Sequence, residues 1–288
     1  MSASRTIRES GTKQCFVLSA GFTLIELLVV ISIIGLLAGL AVPAIKNLGK
    51  ANGTVSAARQ LLDDVARARQ LAISDHTTVY MIFVDTNIWN TANWNGGFIP
   101  ATAAVTNLCD KQYTGYTFVS TRSVGDQPGQ GTTNYLAANW QNLPEGSFIP
   151  PWKYLPRYTT TTFTDPAAGR TYYIPGFSRT TSYYNNDYIP FPAINSPGST
   201  TNLPYIAFNY LGQLTTEQLT PLPSQQDEYI PLGQGNVAPA MNLDKTFRAG
   251  VPPSITELPP GNTTNSAYKV IHIDWLTGRA RQEYEQIQ

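Results

Sequence analysis

The sequence predicts an α+β protein: a long N-terminal helix with a membrane half and an amphipathic half, packed on an antiparallel β-sheet head that carries a large loop-rich insertion. Three observations lead there. Phe22–Ile45 is apolar or small apart from Thr23, Glu26 and Ser32. Residues 55–73 place apolar side chains at spacings of three and four, the period of a helix with one buried face. From residue 79 onward, short β-prone runs alternate with glycine turns.

Composition narrows the class. Charged residues are 13% of the 288, about half of the roughly 25% typical of soluble domains. Aromatic residues reach 11%, with 16 Tyr, beside 21 Pro and 22 Gly. That balance suits an exported β-rich surface better than a cytosolic enzyme. The formal net charge of zero supplies no basic field to draw nucleic acid, which argues against a nucleic-acid partner.

The N-terminal segment is read in two parts. Residues 1–15 are polar and carry Arg5, Arg8 and Lys13 against Glu9 alone. Phe22–Ile45 as a helix would run about 36 Å, longer than a hydrocarbon core of about 30 Å. The basic leader stays on the cytoplasmic side, which sends everything after Lys46 across the membrane. A secretory signal explains the run poorly, because its apolar core spans only about 7–15 residues. A plain anchor leaves Glu26 unexplained, since a carboxylate within a spanning helix costs about 2.5–3.5 kcal/mol and implies a partner.

Gly21-Phe22-Thr23-Leu24-Ile25-Glu26, followed by Leu27-Leu28-Val29-Val30, closely resembles the processing site of type IV prepilins and type II secretion pseudopilins. The resemblance implies that a prepilin peptidase/methyltransferase cuts after Gly21 and methylates the new N-terminus at Phe22. It implies that Glu26 pairs with the N-terminal amine of a neighbouring subunit. Such a pair neutralises two charges in an apolar filament core and sets axial register. Pro43 lies where pilin helices often carry a proline. It either kinks a continuing helix or ends the membrane segment. Gly35 and Gly39 form a small-xxx-small pair suited to close helix approach, or are ordinary membrane-helix composition.

The domain plan follows from this reading. Residues 1–21 are a cleaved leader, 22–45 a transmembrane and filament-core helix, 46–75 an amphipathic helix continuing into the head, and 76–288 a β-rich head. Asn47–Gly53, polar with two glycines, is expected to loosen the helix. Beyond it Val55, Ala58, Leu61, Leu62, Val65, Ala68, Ala72 and Ile73 make the apolar face. Arg67 and Arg69 solvate the outer side or touch lipid or filament, and Asp63 reaches Arg67 at i,i+4.

Val79–Val84 reads as the first strand of the head. Ala57–Val84, with its arginine-bearing helix leading into a strand, resembles the minor pseudopilins of the H type. Tyr205–Leu214 and Tyr268–Tyr284, each a strand, a glycine turn and a return, look like hairpins of that head. Residues 86–203 depart from the family by their length and are read as the insertion. Repeated aromatic-Ile-Pro elements at Phe98–Pro100, Phe148–Pro150, Tyr173–Pro175, Tyr188–Pro190 and Tyr229–Pro231 are assigned to loop edges and short edge strands. Gly233–Gly261 is read as a long surface connection.

No catalytic constellation stands out, and no cofactor is expected. His76 and His272 show no metal spacing, and His272, on the polar side of an alternating strand, is expected to be exposed. Asp85, Asn87 and Asn90 gather oxygen ligands that calcium would accept, with family precedent. They do not match the EF-hand spacing, and an Asn-rich turn is the preferred reading. With the leader removed, Cys109 stands alone and reads as a buried small hydrophobe rather than an intermolecular bridge. The aromatic residues of the insertion are divided between core packing and a recognition surface.

The resulting expectation is a non-enzymatic minor pseudopilin or minor pilin. Its partners would be other pilins, the inner-membrane assembly platform and the platform's ATPase. It would start as a single-pass protein of the bacterial inner membrane with a periplasmic head, then join a periplasmic or cell-surface filament. The alternative of another class is a pilus-borne adhesin or DNA-uptake receptor using the aromatic head.

Overall fold

The computed structural model describes residues 23–51, 53–89, 106–120, 134–135, 140–155, 160–164, 171–178, 189–190, 200–201, 203–216, 223–248, 250–264 and 269–283. Two compact units emerge, 1–47 and 48–288. In chain order the helices are α1 (Leu24–Ala51) and α2 (Gly53–Ser74). Strands β1 (Val79–Phe83), β2 (Gly115–Ser120), β3 (Asn134–Tyr135), β4 (Gln141–Asn142) and β5 (Ser147–Phe148) follow. Next come β6 (Thr160–Thr164), β7 (Thr171–Pro175), β8 (Ile189–Pro190), β9 (Thr200–Thr201), β10 (Tyr205–Phe208) and β11 (Leu214–Thr215). The last are β12 (Glu228–Ala238), β13 (Ser254–Glu257), β14 (Lys269–Ile273) and β15 (Ala280–Glu283). The architecture is α+β, and every pairing between these strands is antiparallel.

One sheet runs β11-β10-β1-β2-β3, with β4 also on β2; a second runs β13-β12-β14-β15, with β5 on β12; β6-β7 and β8-β9 make two small two-stranded sheets. Helix α2 packs on the first two. Its Ala57, Ala58, Leu61, Val65, Ala68 and Ala72 share one core with Val79, Met81 and Phe83 of β1, Phe208 of β10, and Ile230, Ile271 and Ile273 of the second sheet. Fully burying a Leu or Val stabilises by about 1.5–3 kcal/mol, so Leu61 and Val65, both 0% exposed, anchor the helix. The buried face is turned slightly from the expected one. Ala57 lies inside it, while Val55, Leu62 and Ile73 are only partly covered.

Strand β1 is buried on both faces, which is why Val79–Val84 reads as an unbroken apolar run. Val79, Met81 and Phe83 face α2, while Tyr80, Ile82 and Val84 enter a second cluster with Ile88, Leu108, Val119 and Leu203. Much of that cover comes from residues 86–203. The same stretch supplies β2, which pairs with all five residues of β1, from Val79↔Ser120 to Phe83↔Tyr116. A segment expected to elaborate the head therefore contributes to its central sheet. The signal was present in Gly115–Ser120, a Tyr-, Phe- and Val-bearing run, but its partner lies more than thirty residues upstream and leaves no local mark.

Three further segments bear on the expected plan of the chain. Across Asn47–Gly53, α1 runs to Ala51 and α2 starts at Gly53, with Asn52 outside the described residues. A Cβ at Gly53 would meet the Glu145 carbonyl oxygen at 2.4 Å, so that glycine allows close packing against residue 145. Gly233–Gly261 is a β-ribbon, not a surface connection: β12 runs to Ala238 and pairs with β13 from Gly235↔Glu257 to Ala238↔Ser254. Its glycines mark close approach, since a Cβ at Gly235 would lie 2.2 Å from the Thr256 carbonyl oxygen. Finally, the aromatic-Ile-Pro elements at 148–150 and 173–175 adjoin the short edge strands β5 and β7, as expected, and Ile149 and Ile174, like Ile230 of the element at 229–231, are at most 1% exposed. Tyr229–Pro231 lies within β12 rather than at a loop edge, and among the described residues the far edge of that strand has no ladder partner before Gly233.

Candidate functional site

The first helical turn of α1 is built from Thr23 and Glu26. The Thr23 N–H and Oγ1–H both donate to Glu26 Oε2, at 2.9 and 2.8 Å, and the Glu26 N–H returns to Thr23 Oγ1 at 3.3 Å. This is a capping box, Thr-x-x-Glu, which satisfies amide donors that the helix start leaves without intrahelical partners. The carboxylate also stands at the positive end of the helix dipole. Within a single subunit, Glu26 is therefore engaged by its own helix.

From that turn to Leu37, α1 is apolar on every side apart from Ser32. Leu24 is 83% exposed, Ile25 71% and Leu36 67%, and no described side chain from Thr23 to Leu37 is covered. A helix apolar all round is at home in a lipid or helical environment, not in water. No helix among the described residues is long and apolar enough to cross a membrane. The described side chains of α1 end at Leu37, about 20 Å from Leu24 at 1.5 Å per residue. The backbone of α1 continues through Pro43 to Ala51, so Pro43 does not end the helix. Gly21, Phe22 and the side chain of Pro43 lie outside the described residues.

In the head, polar groups serve packing at several points. Arg69 of α2, expected on the solvated face, is partly covered and donates from Nε to the Thr277 carbonyl at 2.6 Å. Tyr116 of β2 donates to Asp64 Oδ2 and accepts from Gln60 Nε2 at 2.7 Å, and Gln60 also donates to the Asn142 carbonyl at 2.9 Å. Burial raises the Asp64 carboxyl above its ordinary range and raises the Tyr116 phenol likewise. Lys153 and Glu228 form a buried ion pair, side chains 0% and 4% exposed, and Lys153 Nζ also donates to the Pro175 carbonyl at 2.8 Å. Lys153 further sits over the Phe177 ring at 4.6 Å.

His272 is buried, 6% exposed, contrary to the expectation of an exposed strand histidine. Strand β14 lies between β12 and β15, and the cross-strand neighbours of His272 are Tyr229 and Arg281, whose side chains flank it on the same face. The Tyr229 ring stacks on the imidazole at 4.6 Å and 8°. Asp227 Oδ2 lies 2.8 Å from Nε2 and Glu283 Oε1 3.0 Å from Nδ1, with Arg281 Nε 3.1 Å from the same Nδ1. The two carboxylates approach opposite ring nitrogens and do not converge on one point, as a metal site requires.

Among the described residues no group of three or more His, Cys, Asp or Glu is arranged to hold a metal ion. Of the calcium candidates, Asp85 is buried at 1%, Asn87 falls in a 3₁₀ turn at Thr86–Trp89, and Asn90 lies outside the described residues. Cys109 is buried, 4% exposed. The aromatic residues divide. Tyr154 and Phe177 join Phe83, Tyr113 and Tyr116 in the main core, with Phe83 and Phe177 stacked at 4.5 Å, whereas Tyr173 is 65% exposed. His272, Lys153 and Asp64 form contacts to residues 45, 75 and 52 positions away, which no local pattern announces.

Residues 18–42 match the family described as the prokaryotic N-terminal methylation motif. The match encloses the Thr23–Glu26 capping box and the exposed apolar start of α1, and with the α+β antiparallel head it supports a type IV pilin-like protein. That motif implies processing by a prepilin peptidase and assembly with other pilins. No curated protein and no solved structure matches the chain.

Proposed function

We propose that the protein is a non-enzymatic structural subunit, a minor pseudopilin or minor pilin, built through α1 into a filament of the type II secretion or type IV pilus kind. The leader 1–21 is removed after Gly21, Phe22 becomes the methylated N-terminus, and the apolar run Phe22–Ile45 holds the subunit in the inner membrane until assembly. In the filament the exposed faces of α1 pack against sister helices. Glu26 leaves its own cap to neutralise a neighbour's N-terminal amine and set register. The assembly platform and its ATPase drive that transfer.

The observation that carries this reading is the uniformly exposed apolar start of α1 inside the methylation motif. A surface of that kind is not stable in water and needs either lipid or other helices. The large head, with many strands and an interior of its own, supports a minor over a major role, because bulky heads crowd a repeating filament.

The test is the N-terminal mass of the membrane-bound protein, with and without a prepilin peptidase. The expected product begins at methylated Phe22 only when the peptidase is present. A chain that keeps residues 1–21, or is cut elsewhere, overturns the reading.

A further inference from the structure

Lys153 and Glu228 bring an amine and a carboxyl together in the interior, in a pairing that the filament reading does not use. Lys153 belongs to a 3₁₀ turn at Pro151–Tyr154, inside the stretch 86–203, and its side chain is 0% exposed. Glu228 opens β12, and its side chain is 4% exposed. Both backbones are pinned. The Lys153 N–H donates to the Pro150 carbonyl at 3.0 Å, and the Lys153 carbonyl accepts from the Phe177 N–H at 2.9 Å. Glu228 pairs with Ile273 of β14.

The side chains are placed as two reactants. Nζ touches Glu228 Oε1, donates to the Pro175 carbonyl at 2.8 Å and lies 4.6 Å from the centre of the Phe177 ring. Oε1 also accepts from the Tyr229 N–H at 3.2 Å. Glu228 further lines a cavity of about 10 Å³ with Ser178, Thr215, Thr216 and Ser224, room for about one water among hydroxyl groups. As an ion pair alone, the arrangement costs two desolvated charges, and a well-packed apolar pair is often as stable.

We propose that Lys153 and Glu228 are a self-modification site, at which the two side chains condense into an isopeptide bond. Burial disfavours both charged forms. One proton passed from the ammonium to the carboxylate leaves an amine and an acid. Nζ then attacks Cδ of Glu228, and the Tyr229 N–H steadies the charge that grows on Oε1. The Cδ–N bond forms and the Cδ–Oε2 bond breaks. Oε2 leaves as water, carrying two of the three protons that began on Nζ, and the third remains as the amide N–H. Nothing is oxidised or reduced, and no co-reactant is needed. Well-oriented intramolecular reactions reach effective molarities of about 10⁵–10⁸ M, which offsets the preference of amines and acids in water to stay apart. The product ties residue 153 to residue 228 in a head whose single cysteine, Cys109, is free and buried.

The test is the mass of the full-length protein, extracted from its membrane and fully denatured. The expected chain is lighter by one water than its sequence requires, once its N-terminus is accounted for. A digest should yield one branched peptide that carries both Lys153 and Glu228. Lys153→Arg keeps a cation in place without the amine, and should restore the missing water. A water still missing from Lys153→Arg overturns the proposal. The parent chain also decides the matter without any variant. Full mass as the major species, with Lys153 and Glu228 on separate peptides, or a water lost at another site, overturns the isopeptide and leaves the pair ionic. None of these outcomes bears on the filament reading, which the N-terminal mass tests separately.

Discussion

Arg69 Nε donates to the carbonyl oxygen of Thr277 at 2.6 Å, joining positions 208 residues apart. The bond ties the last turns of α2 to the β14–β15 turn. Along the way the arginine stem runs beside both turn glycines, 3.2 Å from where a Cβ would stand at Gly212 or at Gly278. One side chain thus links the helix to hairpins of two different sheets.

Arg69→Met keeps most of that stem and removes only the donor. A hydrogen bond from a charged group is worth about 1.5–3 kcal/mol, less where water reaches it, so the expected loss is about 1–2 kcal/mol. Urea unfolding of the variant against the parent measures it. No measurable loss would mean that the stem packing, not the bond, holds the hairpin.

Gly278 adopts φ +61, and its Cβ would fall 2.0 Å from the Gly212 carbonyl oxygen. Gly250 has φ +73 with nothing within 4 Å. Both alanine substitutions incur the left-handed strain of about 1–3 kcal/mol, but only Gly278→Ala adds a backbone clash. Thermal unfolding is expected to show a clearly larger drop for Gly278→Ala than for Gly250→Ala. Equal drops would indicate that the turns separate readily.

The elements most legible in the sequence are those whose cause is local. The periodicity of α2, the apolar run of β1 and the two glycine-turn hairpins depend on neighbours within a few residues. What stayed hidden depends on distant partners. Gly233 and Gly235 look like loop residues until Phe148 and Thr256 stand against them. His272 looks exposed until the Tyr229 ring of β12 stacks on it and Arg281 of β15 flanks it, and nothing local marks the burial of Lys153 against Glu228. Spacing brings Asp63 within reach of Arg67 but does not announce Phe118, over whose ring the Arg67 guanidinium lies at 5.9 Å. At the N-terminus the case reverses: the Gly21–Glu26 motif is fully legible, whereas the engagement of Glu26 by Thr23 needed the geometry of the helix start.

Lys153 and Glu228 lie in the interior with almost no access to water. Removing one member strands the other as a buried charge, at a cost of about 3–5 kcal/mol. Lys153→Met and Glu228→Gln are each expected to lose stability on that scale. The double variant should lose clearly less than the two losses added together, because no uncompensated charge remains. Denaturant unfolding of the four proteins closes the cycle. Strict additivity would show that the two groups do not act as a pair.

Asp64 carries the pH dependence most open to test. Burial raises its carboxyl above the ordinary 3.8, and the hydrogen bond from Tyr116 and the nearby Arg67 only partly oppose this. The folded state therefore holds the Asp64 proton more tightly than the unfolded chain does. Below the unfolded value both states are protonated and the neutral carboxyl costs nothing. As pH rises from there through the raised folded value, stability from this group is lost. Asp64→Asn imitates the neutral form at every pH, and its amide oxygen still accepts from Tyr116. The stability of Asp64→Asn relative to the parent should therefore increase as pH rises through that window and then level off. Exposed carboxylates such as Asp274, held low by Thr277, titrate in the opposite sense but are common to both proteins and cancel in the difference. A difference that stays flat from acid to neutral pH would show that the Asp64 carboxylate is as well accommodated charged as neutral.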